Sequence, residues 1–255
     1  MIRAVAACAS AVLAAFIVAP LVGLFAHLSP RDLFEALRTP AALQAFRLSA
    51  LTTVIALAVT LALGTPLAYS LARVRFRGRR LLDAVVDLPI VVPPAVAGLA
   101  LLLAFGRNGL IGKPLSGFGV QLSFTTAAVV MAQVFVASPF YVRAARAGFI
   151  GVDRTLEGAS ATLGMGPLRT FASITVPLAA PALIGGAVLC WARALGEFGA
   201  TIMFAGNLPG VSQTLPLAVY LNLESGSIAV ATALSVVMIA FSLATVFAVR
   251  TFEPR

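Results

Sequence analysis

The chain has 255 residues, of which 60% are hydrophobic and 11% charged, with a mean hydropathy of +1.03. Soluble domains carry about 25% charged residues, so this composition excludes a soluble globular fold, which would have too little polar material to face water. The net charge of +9 is not a nucleic-acid signature either, because its arginines fall between apolar runs, as membrane topology signals do.

An apolar helix needs about 20 residues to cross about 30 Å of hydrocarbon. Six runs meet that length and predict six transmembrane helices in an all-α membrane protein: 4–26, 47–72, 85–106, 123–142, 178–204 and 228–249. The first follows Arg3, as a signal peptide would, but it is longer than the usual 7–15-residue apolar core and no clean small-residue cleavage site ends it. It is read as a retained span. Residues 27–46 have a helix-forming composition between spans. Residues 73–84, RVRFRGRRLLDA, form a basic turn that reads as a topology anchor. The third run holds Asp87, Pro89, Pro93 and Pro94, which predict a kink or a local unwinding. Residues 107–122 and 205–227 are rich in Gly, Pro and Ser and read as loops.

With the N-terminus inside, the inner segments hold twelve Lys and Arg and the outer segments four. That bias places both termini in the cytoplasm. Cys8 and Cys190 lie in apolar runs and read as small buried hydrophobes. The sequence has no HExxH, CxxC or P-loop and one histidine, His27. A membrane enzyme would need acids, histidines or a nucleophile gathered near one face, and no such cluster is visible.

Residues 157–177, EGASATLGMGPLRTFASITVP, interrupt the greasy pattern on the cytoplasmic side. Asp153 can cap a short helix reaching about Leu163. Gly164 and Gly166 stop it, since glycine tolerates left-handed geometry. Pro167 opens a second short helix, which ends near Val176 before Pro177 opens the fifth span. The small residues at 158–162 let another surface approach closely.

Here the sequence resembles a family. Ala159 precedes Gly164 by five residues, and Gly164, Ile174 and Pro177 stand ten and then three apart. This is similar to the EAA loop of binding-protein-dependent ABC importer permeases. The family's usual Glu position, six before the glycine, is held by Gly158, and Glu157 stands one earlier. DLPIVVPPAVAG at 87–98, ARALGEFGATIMFAGN at 192–207 and LPGVSQTLPLAVY at 208–220 resemble the molybdate-transport permeases of that superfamily, and sulfate permeases carry a similar GE[FY]G run.

The resemblance implies a single permease domain of the type I importer fold in the bacterial inner membrane. It implies a homodimer, a cytoplasmic ATPase pair carrying ATP and Mg, and a periplasmic or lipid-anchored oxyanion-binding protein. The chain itself would catalyse nothing and bind no cofactor, metal or nucleic acid. Loop 153–177 would be the coupling helix, with Glu157, Gly158, Ala159, Ser160, Gly164, Ile174 and Pro177 as its contact set. The cargo would be molybdate or tungstate, with sulfate or thiosulfate as the alternative. A channel or secondary transporter is the remoter alternative and leaves the loop without a partner.

A hydrated dianion needs a path that replaces its water weakly, through hydroxyls, small residues and backbone amides. Ser138, Thr201 and Asn207 are candidates of that kind, or else packing and loop-bonding residues. Ionisable residues inside spans are costly and point to a role. Arg193 and Glu197 stand at i and i+4 on the fifth run and can pair, either to hold the span or to act as a gate.

Overall fold

The computed structural model describes residues 2–250. Among these the secondary structure is entirely helical: α1 (Ile2–Ala26), α2 (Pro30–Arg38), α3 (Pro40–Arg73), α4 (Arg79–Val91), α5 (Pro94–Phe105), α6 (Gly112–Gly117), α7 (Thr126–Gly151), α8 (Arg154–Thr162), α9 (Pro167–Thr170), a π-helical turn (Phe171–Thr175), α10 (Val176–Leu195), α11 (Gly199–Ala205), α12 (Leu215–Glu224) and α13 (Ile228–Arg250). The first and last spans agree with the sequence reading. The second and fourth are longer, because helix-forming residues continue past the hydrocarbon length at Pro40–Phe46 and Arg143–Gly151.

One sequence expectation is met and two are corrected. The third run does unwind at its prolines, into two helices, α4 and α5, whose axes differ by 117°. Pro93 and Pro94 force Val92 and Pro93 into extended backbone, so helix cannot run through them. The fifth run is broken at its far end, where α10 stops at Leu195 and α11 begins at Gly199. Pro177 does not open a new helix, since α9, the π-turn and α10 are continuous over Pro167–Leu195. Pro177 has no N–H to donate, and the Val176 N–H instead reaches back to the Phe171 carbonyl, a π-type bond that absorbs the register change. Segment 205–227, read as a loop, also contains a helix, α12, whose first turn is met by α3: the Leu215 N–H donates to Ser49 Oγ at 2.7 Å.

The core lies where α3, α7 and α10 cross. Its buried members are mostly small: Ala68, Ala137, Ala145, Ala179, Cys190 and Ala194, closed by Leu71, Tyr141 and Phe149. Between helices in lipid there is little hydrophobic gain from association, so close approach through small residues does the work. Gly186 is such a site, because a Cβ there would lie 2.7 Å from Ala144 Cβ; Gly148 is another, 2.6 Å from Ala182 Cβ. Tyr69, Phe149 and Phe171 stack as a cluster with centroids 4.9–5.9 Å apart and seal the core beside the π-turn. A second core joins α5, α7 and α11, and a third joins α3, α12 and α13. Helix α1 touches mainly α13 and leaves Val12, Phe16 and Val22 outward. Cys8 is therefore exposed on a lipid-length helix, against the expectation of burial, while Cys190 is buried.

The α7–α10 contact predicts a contrast between neighbouring glycines. Gly186→Ala should destabilise the detergent-solubilised protein by about 1–3 kcal/mol through overpacking. Gly185 has nothing within 4 Å, so Gly185→Ala should leave the thermal midpoint unchanged or raise it. Equal behaviour of the two variants would contradict this packing.

Candidate functional site

The interrupting segment forms a compact loop at one end of α7. Asp153 accepts a hydrogen bond from the Thr155 N–H at 2.9 Å and caps α8. Thr155, through its backbone and side chain, holds the Asp153 carboxyl below its ordinary range. Helix α8 ends as expected: Gly164 sits at φ +80°, and the Met165 N–H returns to the Ser160 carbonyl at 3.0 Å.

The loop has two faces, and the sequence-predicted contact set divides between them. Glu157 and Ser160 point into the protein. Glu157 Oε1 accepts from Arg73 Nη2 at 3.1 Å and from Thr175 Oγ1 at 2.8 Å. The same Arg73 nitrogen donates to the Val152 carbonyl at 2.8 Å. Ser160 Oγ and Thr170 Oγ1 share a bond of 2.7 Å. One buried polar node thus ties the end of α3, the end of α7, α8 and the π-turn together. Neither Glu157 nor Ser160 is free to serve as outward contact, which corrects the sequence reading. The open face carries Gly158, Ala159 and Gly164 beside Leu156, Leu163 and Leu168, the last two 82% and 84% exposed. Ile174 is half-buried and Pro177 is exposed.

The second feature is the break after α10. Arg193 and Glu197 do pair, with Arg193 Nη2 2.6 Å from Glu197 Oε2. They do not share a helix face, because Gly196 ends α10 and Glu197 lies beyond it. Glu197 Oε1 turns forward and accepts the Ala200 N–H at 2.7 Å, capping α11. The carboxylate therefore satisfies a backbone donor that the break would leave bare in a region without water. The Arg193 contact is an ion pair without an aligned hydrogen bond to Oε2. Across from it, a Cβ on Gly199 would lie 2.7 Å from Pro94 Cβ, and one on Gly98 2.6 Å from the Ala200 carbonyl. The two broken spans meet backbone to backbone beside their breaks.

The remaining pathway candidates are scattered. Thr201 is fully buried on α11, and its Oγ1 has no partner among the described residues. Asn207 is a loop-bonding residue whose Oδ1 accepts from Gln213 Nε2 at 3.0 Å. Ser138 lines a cavity of about 570 Å³ whose other walls include Leu63, Val86, Leu101 and Phe135. Thr201, Asn207, Arg193 and Glu197 are not among its lining residues, and its apolar walls do not suit a dianion.

The sequence reading missed a pair of bridges. Arg143 Nε lies 2.6 Å from Asp87 Oδ1, and Arg146 pairs with Asp83. The acids stand at i and i+4 on α4 and the arginines at i and i+3 on α7, so the signal was a matched spacing on two helices.

Residues 64–255 match the profile of the family described as binding-protein-dependent transport system inner membrane component. The chain belongs to this family. It is 41% identical over 226 residues to the molybdenum transport system permease protein ModB of Mycobacterium tuberculosis, spanning 88% of this chain and 86% of that protein. It is 37% identical over 196 residues to the probable sulfate transport system permease protein cysT of Helicosporidium, spanning 76% and 73%. A solved bacterial alginate ABC transporter, in complex with alginate pentasaccharide-bound periplasmic protein, matches with a TM-score of 0.77 at 15% identity, over 97% of this chain and 92% of that one. The fold is that of a type I ABC importer permease.

In this permease the Arg193–Glu197 pair predicts an asymmetry. The Glu197 side chain is 1% exposed and that of Arg193 27%. Arg193→Met strands a buried carboxylate and should cost about 3–5 kcal/mol. Glu197→Gln keeps an acceptor for the Ala200 N–H and leaves a cation less buried than the carboxylate, and should cost about 1.5–3 kcal/mol. Thermal unfolding of the two purified variants checks the order, and a reversed order would contradict the capping role.

Proposed function

We propose that this chain is the membrane-spanning subunit of an ATP-driven importer for molybdate or tungstate. It works as a homodimer on two cytoplasmic ATPases, which carry ATP and Mg²⁺, and it takes its oxyanion from a periplasmic or lipid-anchored binding protein. One observation carries the cargo: the 41% identity to a molybdenum permease along 226 residues. The 37% identity to a sulfate permease keeps sulfate as the second reading, since both cargoes are tetrahedral dianions.

The partners follow from the loop. Its open face offers Leu156, Leu163 and Leu168 around small residues, a knob suited to an apolar groove. We assign that groove to the ATPase and both termini to the cytoplasm, in line with the twelve-to-four arginine bias. ATP binding and release would then move α8. The buried node of Arg73, Glu157, Thr175 and Val152 would carry that motion into α3, α7 and α10, which form the main core.

The path itself is assigned to the two-fold axis of the homodimer, where weak hydroxyl and amide contacts could pass a dianion without trapping it. Arg193 and Glu197 serve in this reading to hold the broken span, with Arg193 also offsetting a carboxylate that would repel an anion.

The test is uptake in inverted-control and right-side-out vesicles that hold permease, ATPase and binding protein. Labelled molybdate should accumulate with ATP, and excess sulfate should compete weakly. Gly164→Val should leave the permease inserted but uncoupled, because φ +80° opposes a β-branched side chain. Sulfate uptake that molybdate does not inhibit would favour the second reading. Wild-type molybdate uptake by Gly164→Val would remove the coupling role.

A further inference from the structure

The turn between α3 and α4 reads RVRFRGRR over 73–80. Arg73 is engaged by Glu157, but none of the ion pairs among the described residues includes Arg75, Arg77, Arg79 or Arg80. The nearest acids on α4, Asp83 and Asp87, are held by Arg146 and Arg143, and the first turn of α4 carries none. Arg75, Arg79 and Arg80 nonetheless converge on one hollow of about 450 Å³, together with Phe76 and Gly78. Gly78 makes that convergence possible at φ +89°, where it reverses the chain. A bias of charge toward one side of the membrane requires arginines somewhere in this segment. It does not require three of them around a single concavity, where like charges repel.

The surface that continues from the hollow is apolar. Leu81, Val85 and Leu88 stand at i, i+4 and i+7 on α4 and are each more than half exposed, while Leu82 and Val86 on another face pack against the core. Basic side chains followed at once by an outward apolar stripe match a lipid: the phosphate at the arginines and the acyl chains along the helix. We propose that Arg75, Arg79 and Arg80 form a site for the phosphate of an anionic phospholipid of the inner leaflet, with its chains lying on Leu81, Val85 and Leu88. The site rests on the cytoplasmic orientation of this turn given above and is independent of which oxyanion is carried. Its occupant fixes α4, and through the Asp83 and Asp87 bridges the cytoplasmic half of α7, at a set depth in the bilayer.

The experiment is native mass spectrometry of the full-length permease in detergent, titrated with phosphatidylglycerol or phosphatidylcholine. Each arginine near an anionic headgroup is worth about fivefold in binding. The wild type should therefore prefer phosphatidylglycerol by at least about tenfold, and R75Q/R79Q/R80Q should lose that preference. R75K/R79K/R80K should keep most of it, and inorganic phosphate at equal concentration should not displace the lipid. Thr162→Cys in a background with Cys8 and Cys190 replaced by Ala, labelled only from the cytoplasmic side, confirms that the Gln variant is inserted correctly. Should that variant fail to insert, Arg75→Gln alone and the wild-type comparison of the two lipids decide the matter. Equal binding of the two lipids, or an unchanged preference in a Gln variant, overturns the proposal. Displacement by inorganic phosphate also overturns it, because the site would then serve a soluble anion.

Discussion

The Glu157 carboxylate, held by Arg73 and Thr175, is the interaction that fastens the α8 loop to the helix bundle. A loop can pass motion to a bundle only if it is fastened to it, and α8 has few other attachments. The fastening is polar and directional. Arg73 closes the end of α3 and holds the Val152 carbonyl at the end of α7, while Thr175 stands in the π-turn that leads into α10. Three spans that share one core therefore meet the loop at one point. The contact excludes most water, with side-chain exposures of 9% and 19% for Arg73 and Glu157, so it is screened less than a surface pair. The Ser160–Thr170 bond is a second fastening on the same face, and it leaves the small and leucine residues exposed on the other.

The bilayer imposes the complementary constraint. Every break in a span bares backbone groups that lipid cannot satisfy. This chain breaks two spans and places the breaks against each other. Gly98 and Gly199 allow the backbones to touch, and Glu197 caps the helix that restarts. The GEFGAT run is thus explained by local geometry. Glu197 supplies the cap, Gly196 ends one helix, and Gly199 lets the next one approach Pro94. In this structure the intramembrane carboxylate accepts the Ala200 N–H through one oxygen and pairs with Arg193 through the other.

Much of this was legible in the sequence. Apolar run length gave the spans. Asp153, Gly164 and Pro167 announced the cap, the stop and the restart of the loop, and all three behave so. What was hidden depended on partners distant in sequence. Nothing near Glu157 shows that its partner is Arg73, 84 residues earlier. Composition made 205–227 a loop, whereas α12 is stabilised there by Ser49 of another span. The π-turn was invisible because Pro177 at a helix start and Pro177 after a π-turn have the same local sequence. Periodicity put Arg193 and Glu197 on one face, and only the break at Gly196 reassigns the glutamate.

The most direct measurement of the central claim is uptake per ATP hydrolysed in vesicles containing the whole transporter, compared between wild type and Glu157→Gln, with membrane insertion and ATPase association measured alongside. If the Arg73–Glu157 node transmits the motion of α8, the variant binds its ATPase and hydrolyses ATP while uptake per ATP falls on the order of tenfold, within the usual range of coupling energies. An unchanged ratio in a variant shown to be inserted and ATPase-bound would contradict the account.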